Sequence, residues 1–300
     1  MIDEHEWQSV LQVVADGTFS QAAKHLFVSQ PSLSQCIKKI ENELGMQIFD
    51  RGKTPLQLTE AGRIYVETAR QMQIIRKNLF RQINDIAELR SGSLTIGSSH
   101  TRSICLLTDA LANFHQRYPA VQLTVVEGST VRLQEHVLRG NVDFALLYEP
   151  LDSKLFNRVP IMQENIIMAV PFNHHLTKAF NNKQPIPYPK ISFKFFQNEP
   201  YIALKSNRCM SVIYDELCKS TEVLPKVVFK ADSILSAAEL CAKGMGATMV
   251  TDMVIKRNLW SKTPFFFELE EKIKPRQLVA AYGVNQILSK AAQVFLQFLH

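Results

Sequence analysis

The sequence predicts a multidomain α/β chain: a winged three-helix head, one long helix, and a two-lobed α/β region behind it. Apolar residues recur at helical spacing through the first 45 residues, and no Gly or Pro interrupts residues 63–90. Beyond Ser91-Gly92-Ser93, short apolar runs alternate with amphipathic ones. With 300 residues, 46% hydrophobic and 21% charged, the chain is long enough for about two or three domains with cores of their own.

In the head, Trp7, Val10, Leu11 and Val14 lie on one helix face, and Asp16-Gly17 ends the pattern. Thr18 with Gln21 three residues on reads as a capping box for a short second helix, whose Ala22, Ala23 and Leu26 admit a close neighbour and which ends near Phe27. Ser29 caps a third helix. Pro31 falls in its first turn, where a missing N–H costs nothing, and Leu33, Ile37, Ile40 and Leu44 form a stripe that Gly45 closes. Residues 48–51 and 56–58 bracket the turn-like 52–55 as two strands of a wing. Thr59 caps the long helix, where Ile64, Thr68, Met72, Ile75, Leu79, Ile83 and Ile86 recur every three or four residues over roughly 40 Å. A single apolar stripe on such a helix is expected to pack against a second copy.

Strands over 94–96, 121–126 and 142–147 then alternate with helices over 106–114 and 131–138, which predicts a mostly parallel sheet covered by helices. A second unit runs through strands 166–170, 201–204, 227–229 and 248–250 with helices near 212–218 and 235–242. The segment 180–196, with Pro185, Pro187 and Pro189, reads as irregular, and strand 277–282 and helix 291–299 close the chain.

Charge and composition exclude several classes. The chain carries 34 Lys/Arg against 28 Asp/Glu, a net charge of +6, which favours an anionic partner. Residues 1–90 hold 11 of each sign, so the whole excess lies in 91–300. The longest apolar run, 166–172, is seven residues, far short of the ~18 a membrane helix needs. The acidic start, Asp3, Glu4 and Glu6, is unlike a signal peptide, so a cytoplasmic protein is expected. Cys36, Cys105, Cys209, Cys218 and Cys241 form no C-x-x-C pair and read as free, buried thiols. Of eight His only His174 and His175 are adjacent, and no H-x-x-x-H or H-E-x-x-H spacing offers a metal site. Gly244-Met245-Gly246 lacks the third Gly of a dinucleotide loop and precedes a strand, so it reads as a helix-to-strand turn. No catalytic constellation, cofactor or metal is predicted, and the chain is not expected to be an enzyme.

At about 100° per residue, the stripe of the third helix leaves Pro31, Gln35, Lys38 and Asn42 on the opposite face, flanked by Ser32, Ser34 and Lys39. Two short helices joined by a turn, the second showing Ser, Gln and Lys, fit a helix-turn-helix entering a DNA major groove. Gln can read adenine through its amide, Ser can bond bases or phosphate, and Lys adds phosphate contacts. Taken alone, the same face fits a solvated helix equally well. The run FSQAAKHLFVSQPSLSQCIKKIENELGMQIFDR (19–51) with LTEAG (58–62) closely resembles the N-terminal region of LysR-type transcriptional regulators. The resemblance rests on Ala22-Ala23, Leu26, Ser29-Gln30-Pro31, Ser34, Ile37, Glu41, Leu44-Gly45, Phe49, Arg51 and Thr59-Glu60-Ala61-Gly62. Together with the exposed face of the third helix, it points to contacts to double-stranded DNA from Ser29, Gln30, Pro31, Ser32, Ser34, Gln35, Lys38, Lys39 and Arg51. Gln35 stands where the family often has Arg, so the base contact there is not carried over.

The resemblance further implies a winged helix-turn-helix (1–58), a linker helix used for dimerisation (59–90), and an effector-binding domain (91–300) of two lobes like those of periplasmic binding proteins. It adds homodimers that pair into homotetramers. The first lobe is expected over 91–161 and 268–300 and the second over 162–267, with crossings near Met162 and Phe267 and strand 277–282 completing the first sheet. SLTIGSSHT (93–101) resembles the family's first effector-domain strand, with Ser99 and Thr101 falling where some members bind an anion. Ser98-Ser99, Ser129-Thr130 and Ser206-Asn207 each follow a strand and open a helix, placing hydroxyls and free N–H groups where open sheets bind ligands. Each alone is equally an ordinary helix cap; three together point to a small anionic effector such as a carboxylate, sulfate or phosphate compound. The rival reading is a cytoplasmic solute-binding protein without regulatory DNA binding, which the N-terminal helices oppose.

Overall fold

The structure, a computed structural model, describes residues 3–50, 52, 56–86, 92–180, 183–205, 209–258, 260 and 262–299. The chain divides into two compact units, 1–87 with 285–289, and 88–284 with 290–300.

In the first unit, α1 (Glu4–Asp16), α2 (Phe19–His25) and α3 (Gln30–Leu44) enclose a core of Trp7, Val10, Val13, Ala22, Leu33, Ile37 and Ile40. The caps form where the sequence places them. Thr18 Oγ1 accepts the Gln21 N–H (3.3 Å), Ser29 Oγ accepts the Ser32 N–H (3.2 Å), and Gly45 ends α3 at φ 66°, a left-handed conformation that favours glycine. β1 (Phe49–Asp50) and β2 (Gln57–Leu58) pair antiparallel as the wing. In α4 (Glu60–Ile86), Tyr65, Val66 and Ala69 pack into the head's core, whereas Ile64 and Thr68 of the expected stripe are exposed. The helix therefore leans on the head with the face next to its apolar stripe. Farther along, Ile75, Leu79 and Ile83 are exposed, and the side chain of Ile86 lies outside the described residues.

The second unit begins with β3 (Gly92–Ser98), from which α5 (His100–Arg102) runs through a π-helical stretch (Ser103–Leu107) into α6 (Thr108–Arg117). β4 (Val121–Glu127), α7 (Thr130–Leu138), β5 (Phe144–Tyr148) and β6 (Phe156–Glu164) follow. The chain then builds the second lobe from β7 (Ile166–Val170), β8 (Lys190–Ile191), β9 (Pro200–Leu204), α8 (Cys209–Thr221), β10 (Lys226–Ala231), α9 (Ile234–Ala242), β11 (Thr248–Thr251), α10 (Asp252–Arg257) and β12 (Phe265–Leu269). It returns as β13 (Arg276–Gly283) and α11 (Lys290–Leu296).

Both sheets are mixed, not mostly parallel as expected. The first has the order β4-β3-β5-β13-β6, parallel from β4 to β5 and antiparallel at β13. In the second, β7 lies antiparallel between β11 and β12, with β8 parallel at the far edge, while β9 and β10 form a parallel pair. Strand–helix alternation fixes direction only for strands joined by crossover helices; β6, β7 and β13 are not. β6 carries Pro160 in mid-strand, and β12 opens with three phenylalanines without alternation, buried on both faces; neither gives the period-2 signal of a half-buried strand.

Met162 pairs with Leu278 inside the first sheet and Phe267 with Met168 inside the second, so the chain crosses at Asn165 and returns after Leu269, close to the expected crossings near Met162 and Phe267. The segment 180–196, expected to be irregular, contains β8 and a 3-10 turn, Phe193–Phe196, whose two end rings are fully buried. Gly244–Gly246 joins α9 to β11, and a Cβ on Gly246 would lie 2.6 Å from the Pro200 carbonyl oxygen. Cys218 and Cys241 are buried free thiols, while Cys36 and Cys105 are half-buried and the side chain of Cys209 lies outside the described residues. Among the described residues no helix is long and apolar enough to cross a membrane.

Candidate nucleic-acid interface and effector site

α3 buries Leu33, Ile37 and Ile40, which leaves Pro31, Ser32, Gln35 and Lys38 exposed and Ser34 half-buried. The positive end of the helix dipole stands at Gln30, beside these side chains. Three members of the expected set have internal partners. The Ser29 hydroxyl is engaged as the cap, and Gln30 Oε1 accepts the Ser20 hydroxyl (2.8 Å), which aligns the start of α3 with α2. Lys39 Nζ donates to Glu6 of α1 (2.8 Å), with Glu43 at 3.9 Å, so it braces α3 on α1 while its side chain stays exposed. That hydrogen bond holds the Glu6 carboxyl below its ordinary value and raises the Lys39 ammonium. Arg51 lies outside the described residues.

The wing is positioned by groups of which the sequence disclosed only the Thr59 cap. Glu41, buried on α3, accepts the N–H groups of Ile48 (2.9 Å) and Phe49 (3.3 Å) and so ties the wing's first strand to the recognition helix. Thr59 donates its hydroxyl to the Gln47 carbonyl (2.5 Å) and accepts the Gly62 N–H (3.0 Å). A Cβ at Gly62 would stand 2.1 Å from the Ile48 carbonyl oxygen, so only glycine lets α4 approach the wing this closely. In the turn between α2 and α3, Phe27 adopts φ 55° with its side chain 96% exposed.

At the effector site, Ser98 is buried, its Oγ donating to the Ser99 carbonyl (3.3 Å), and Ser99 occupies the N-cap of α5 without a capping bond from its hydroxyl. Thr101 is half-buried. The Gly128 N–H donates to the Ser98 carbonyl (3.1 Å), which sets the start of α7 beside the end of β3 on one edge of the first sheet. There Ser129 caps α7 by accepting the Arg132 N–H (3.5 Å) and Thr130 is exposed, so this pair reads as a helix start. Ser206 lies outside the described residues.

The same edge carries a buried polar cluster that sequence reasoning missed. Tyr148, at the end of β5, donates to Glu164 Oε2 (2.6 Å), and the Arg276 guanidinium pairs with the same oxygen. Arg102 and Arg276 both lie over the Tyr148 ring, at 5.0 and 4.1 Å from its centre. Arg102 is 5% exposed and Glu164 1%, and Arg102 Nε has no hydrogen-bond partner among the described residues. Burial pushes the Arg102 guanidinium below its ordinary pKa, with Tyr148 and Glu164 opposing, and raises the Tyr148 phenol. Glu164 ends β6 and Arg276 begins β13, so the cluster sits where the chain crosses between lobes. Across the crossing, buried Thr251 ends β11 with a hydroxyl that has no partner among the described residues, and Arg257 of α10 donates to Asp109 of α6 (2.9 Å), tying the lobes together. Two guanidiniums against one carboxylate leave a positive excess in a dry site.

Comparison with known proteins follows this division. Residues 5–63 match the bacterial regulatory helix-turn-helix protein, lysR family, and residues 87–300 match the LysR substrate binding domain. The uncharacterized HTH-type transcriptional regulator YcgK of Bacillus subtilis is 30% identical over 291 residues, covering 93% of this chain and 88% of its own. A probable RuBisCO transcriptional regulator of Trichormus variabilis is 27% identical over 295 residues, covering 96% and 85%. Among solved structures, a full-length OxyR point variant from Pseudomonas aeruginosa shares the fold at a TM-score of 0.69 and 18% identity, covering 100% of this chain and 98% of that one. Full-length CbnR complexed with its target DNA does so at 0.60 and 17%, covering 99% and 98%. With both of its parts accounted for, the chain belongs to the LysR family of transcriptional regulators, a helix-turn-helix DNA-binding region followed by the family's effector-binding domain.

Proposed function

We propose that this regulator answers to a small anion held at the lobe crossing, and that it reads double-stranded DNA with Pro31, Ser32, Ser34, Gln35 and Lys38 of α3. The observation that carries the effector class is the buried Arg102, whose Nε lacks a partner among the described residues, beside Arg276 and with one carboxylate to balance two guanidiniums. A carboxylate, sulfate or phosphate group supplies acceptors and the missing negative charge, and Ser99 and Thr101 stand on the helix that carries Arg102. A working division is 1–58 for DNA, 59–90 for the linker and 91–300 for the effector. The exposed Ile75, Leu79 and Ile83 suit a homodimer seam, and the family resemblance adds homotetramers through the effector domains. Such a protein acts in the cytoplasm by binding, not by catalysis.

Calorimetry of the full-length chain against carboxylate, sulfate and phosphate metabolites, with neutral and cationic controls, tests the effector class. An anion should bind, and Ser99→Ala with Thr101→Ala should weaken it. Binding of neutral or cationic compounds alone would overturn the assignment.

A further inference from the structure

The second lobe holds a cluster far from the crossing. β7 starts at the crossing and ends at Val170; its far end turns through Pro171 to His174 and His175, and Glu199 stands just before β9. Their backbones are fixed. The His174 N–H donates to the Pro171 carbonyl (2.9 Å), and the His174 carbonyl accepts both the N–H (2.9 Å) and the hydroxyl (2.7 Å) of buried Thr177. The Glu199 N–H donates to Phe196 (3.1 Å) and its carbonyl accepts the Lys226 N–H (2.8 Å).

On this frame, His174 Nε2 lies 3.3 Å from Glu199 Oε2 and His175 Nε2 lies 3.7 Å from Glu199 Oε1. One ligand atom from each residue falls within 4.8 Å of the others, and the two imidazoles stack with centres 4.4 Å apart. We propose that His174, His175 and Glu199 form a zinc-class divalent metal site on the second lobe.

The spacing is the first argument. Zinc bonds of about 2.0–2.1 Å in a tetrahedron set neighbouring ligand atoms about 3.3–3.4 Å apart, the separation His174 and Glu199 already have. The half-exposed His175 closes the rest by turning its ring. The donor set is the second argument: two imidazoles with one carboxylate favour zinc and its neighbours over calcium or magnesium, which take oxygen ligands. A simple ion pair would use one histidine, whereas here a second imidazole is stacked on the first over a single carboxylate. When Nε2 turns to a metal its proton moves to Nδ1, so the His174–Glu199 hydrogen bond (3.3 Å) is exchanged for two metal bonds and the long contact from the Leu176 N–H to His174 Nδ1 (3.4 Å) is given up. With three protein ligands the fourth position is open to water, and the ion ties the turn after β7 to the start of β9.

Zinc chloride titrated into the full-length chain, by calorimetry and by thermal unfolding, tests the site. One zinc per chain should bind and raise the unfolding midpoint, and calcium and magnesium at equal concentration should not. Glu199→Gln keeps the side chain's size and His175→Ala alters an exposed ring, so both should fold as the parent does and lose at least about tenfold in zinc affinity. Absence of zinc binding at about 100 μM, or parent-like zinc affinity in both variants, overturns the proposal.

Discussion

Gln35 and Lys38 on α3 stand in water, whereas Arg102 and Glu164 in the first lobe are almost fully shut away from it. A solvated side chain keeps its hydration until the partner arrives, so its loss is felt in binding and hardly in folding. A desolvated charge must find its partners within the fold, so its removal is felt first in stability. The polar face of α3 is thus open to a partner that arrives from outside, whereas the crossing cluster is held by its own internal network.

The largest expected effect lies at the crossing. Glu164→Gln leaves two guanidiniums without their carboxylate and should destabilise the effector domain by about 3–5 kcal/mol, read from urea unfolding of the full chain. Gln35→Ala on the exposed face should stay within about 0.5 kcal/mol in the same assay; equal effects at the two sites would break the contrast. Glu41 is intermediate, because it is buried yet lies on the recognition helix. Its replacement by Gln weakens the hold on two wing N–H groups and should cost about 1–3 kcal/mol of stability together with operator affinity.

Binding sharpens the contrast in the other direction. Gln35→Ala should relax discrimination at one base position by about 1–3 kcal/mol. Lys38→Ala should instead weaken all sequences alike and lower the salt slope by about 1. Fluorescence anisotropy at several salt concentrations separates the two, and parent-like binding by both variants would remove α3 from the interface. The smallest effect is pH dependence at Glu6. Its carboxyl is held below the ordinary 4.5 by Lys39, so the stabilisation is complete above the unfolded value and fades as pH falls through the lower folded one. Unfolding midpoints of the parent and Glu6→Gln should therefore differ at neutral pH and converge in acid.

The two regions also differ in how far their residues announced them. Everything that shapes α3 lies within one short segment: the cap at Ser29, the early Pro31, the apolar stripe and the closing Gly45. Such local signals survive in a linear pattern. Lys39 shows the limit, because its partner Glu6 is 33 residues away and nothing in the pattern of α3 announces the brace. In the effector-binding domain the helix start at Ser99 was legible because a strand-to-helix junction is local. Arg102, Tyr148, Glu164 and Arg276 come from four segments that meet only through the antiparallel pairing of β13 with β5 and β6. That pairing depended on β6, whose Pro160 and polar residues hid it, and the expected crossing at Met162 missed Glu164 by two residues.

A ligand shifts the DNA-bound form only through differential affinity, so occupation of the crossing site must register at the operator. The most direct test is the operator affinity of the parent and of Arg102→Met, by fluorescence anisotropy with and without the anion found by calorimetry. The parent should change affinity by about 5- to 150-fold, a coupling of about 1–3 kcal/mol, and Arg102→Met should not respond. An equal response in both proteins, or no response of the parent to any bound anion, would contradict a regulator whose buried guanidinium senses the effector.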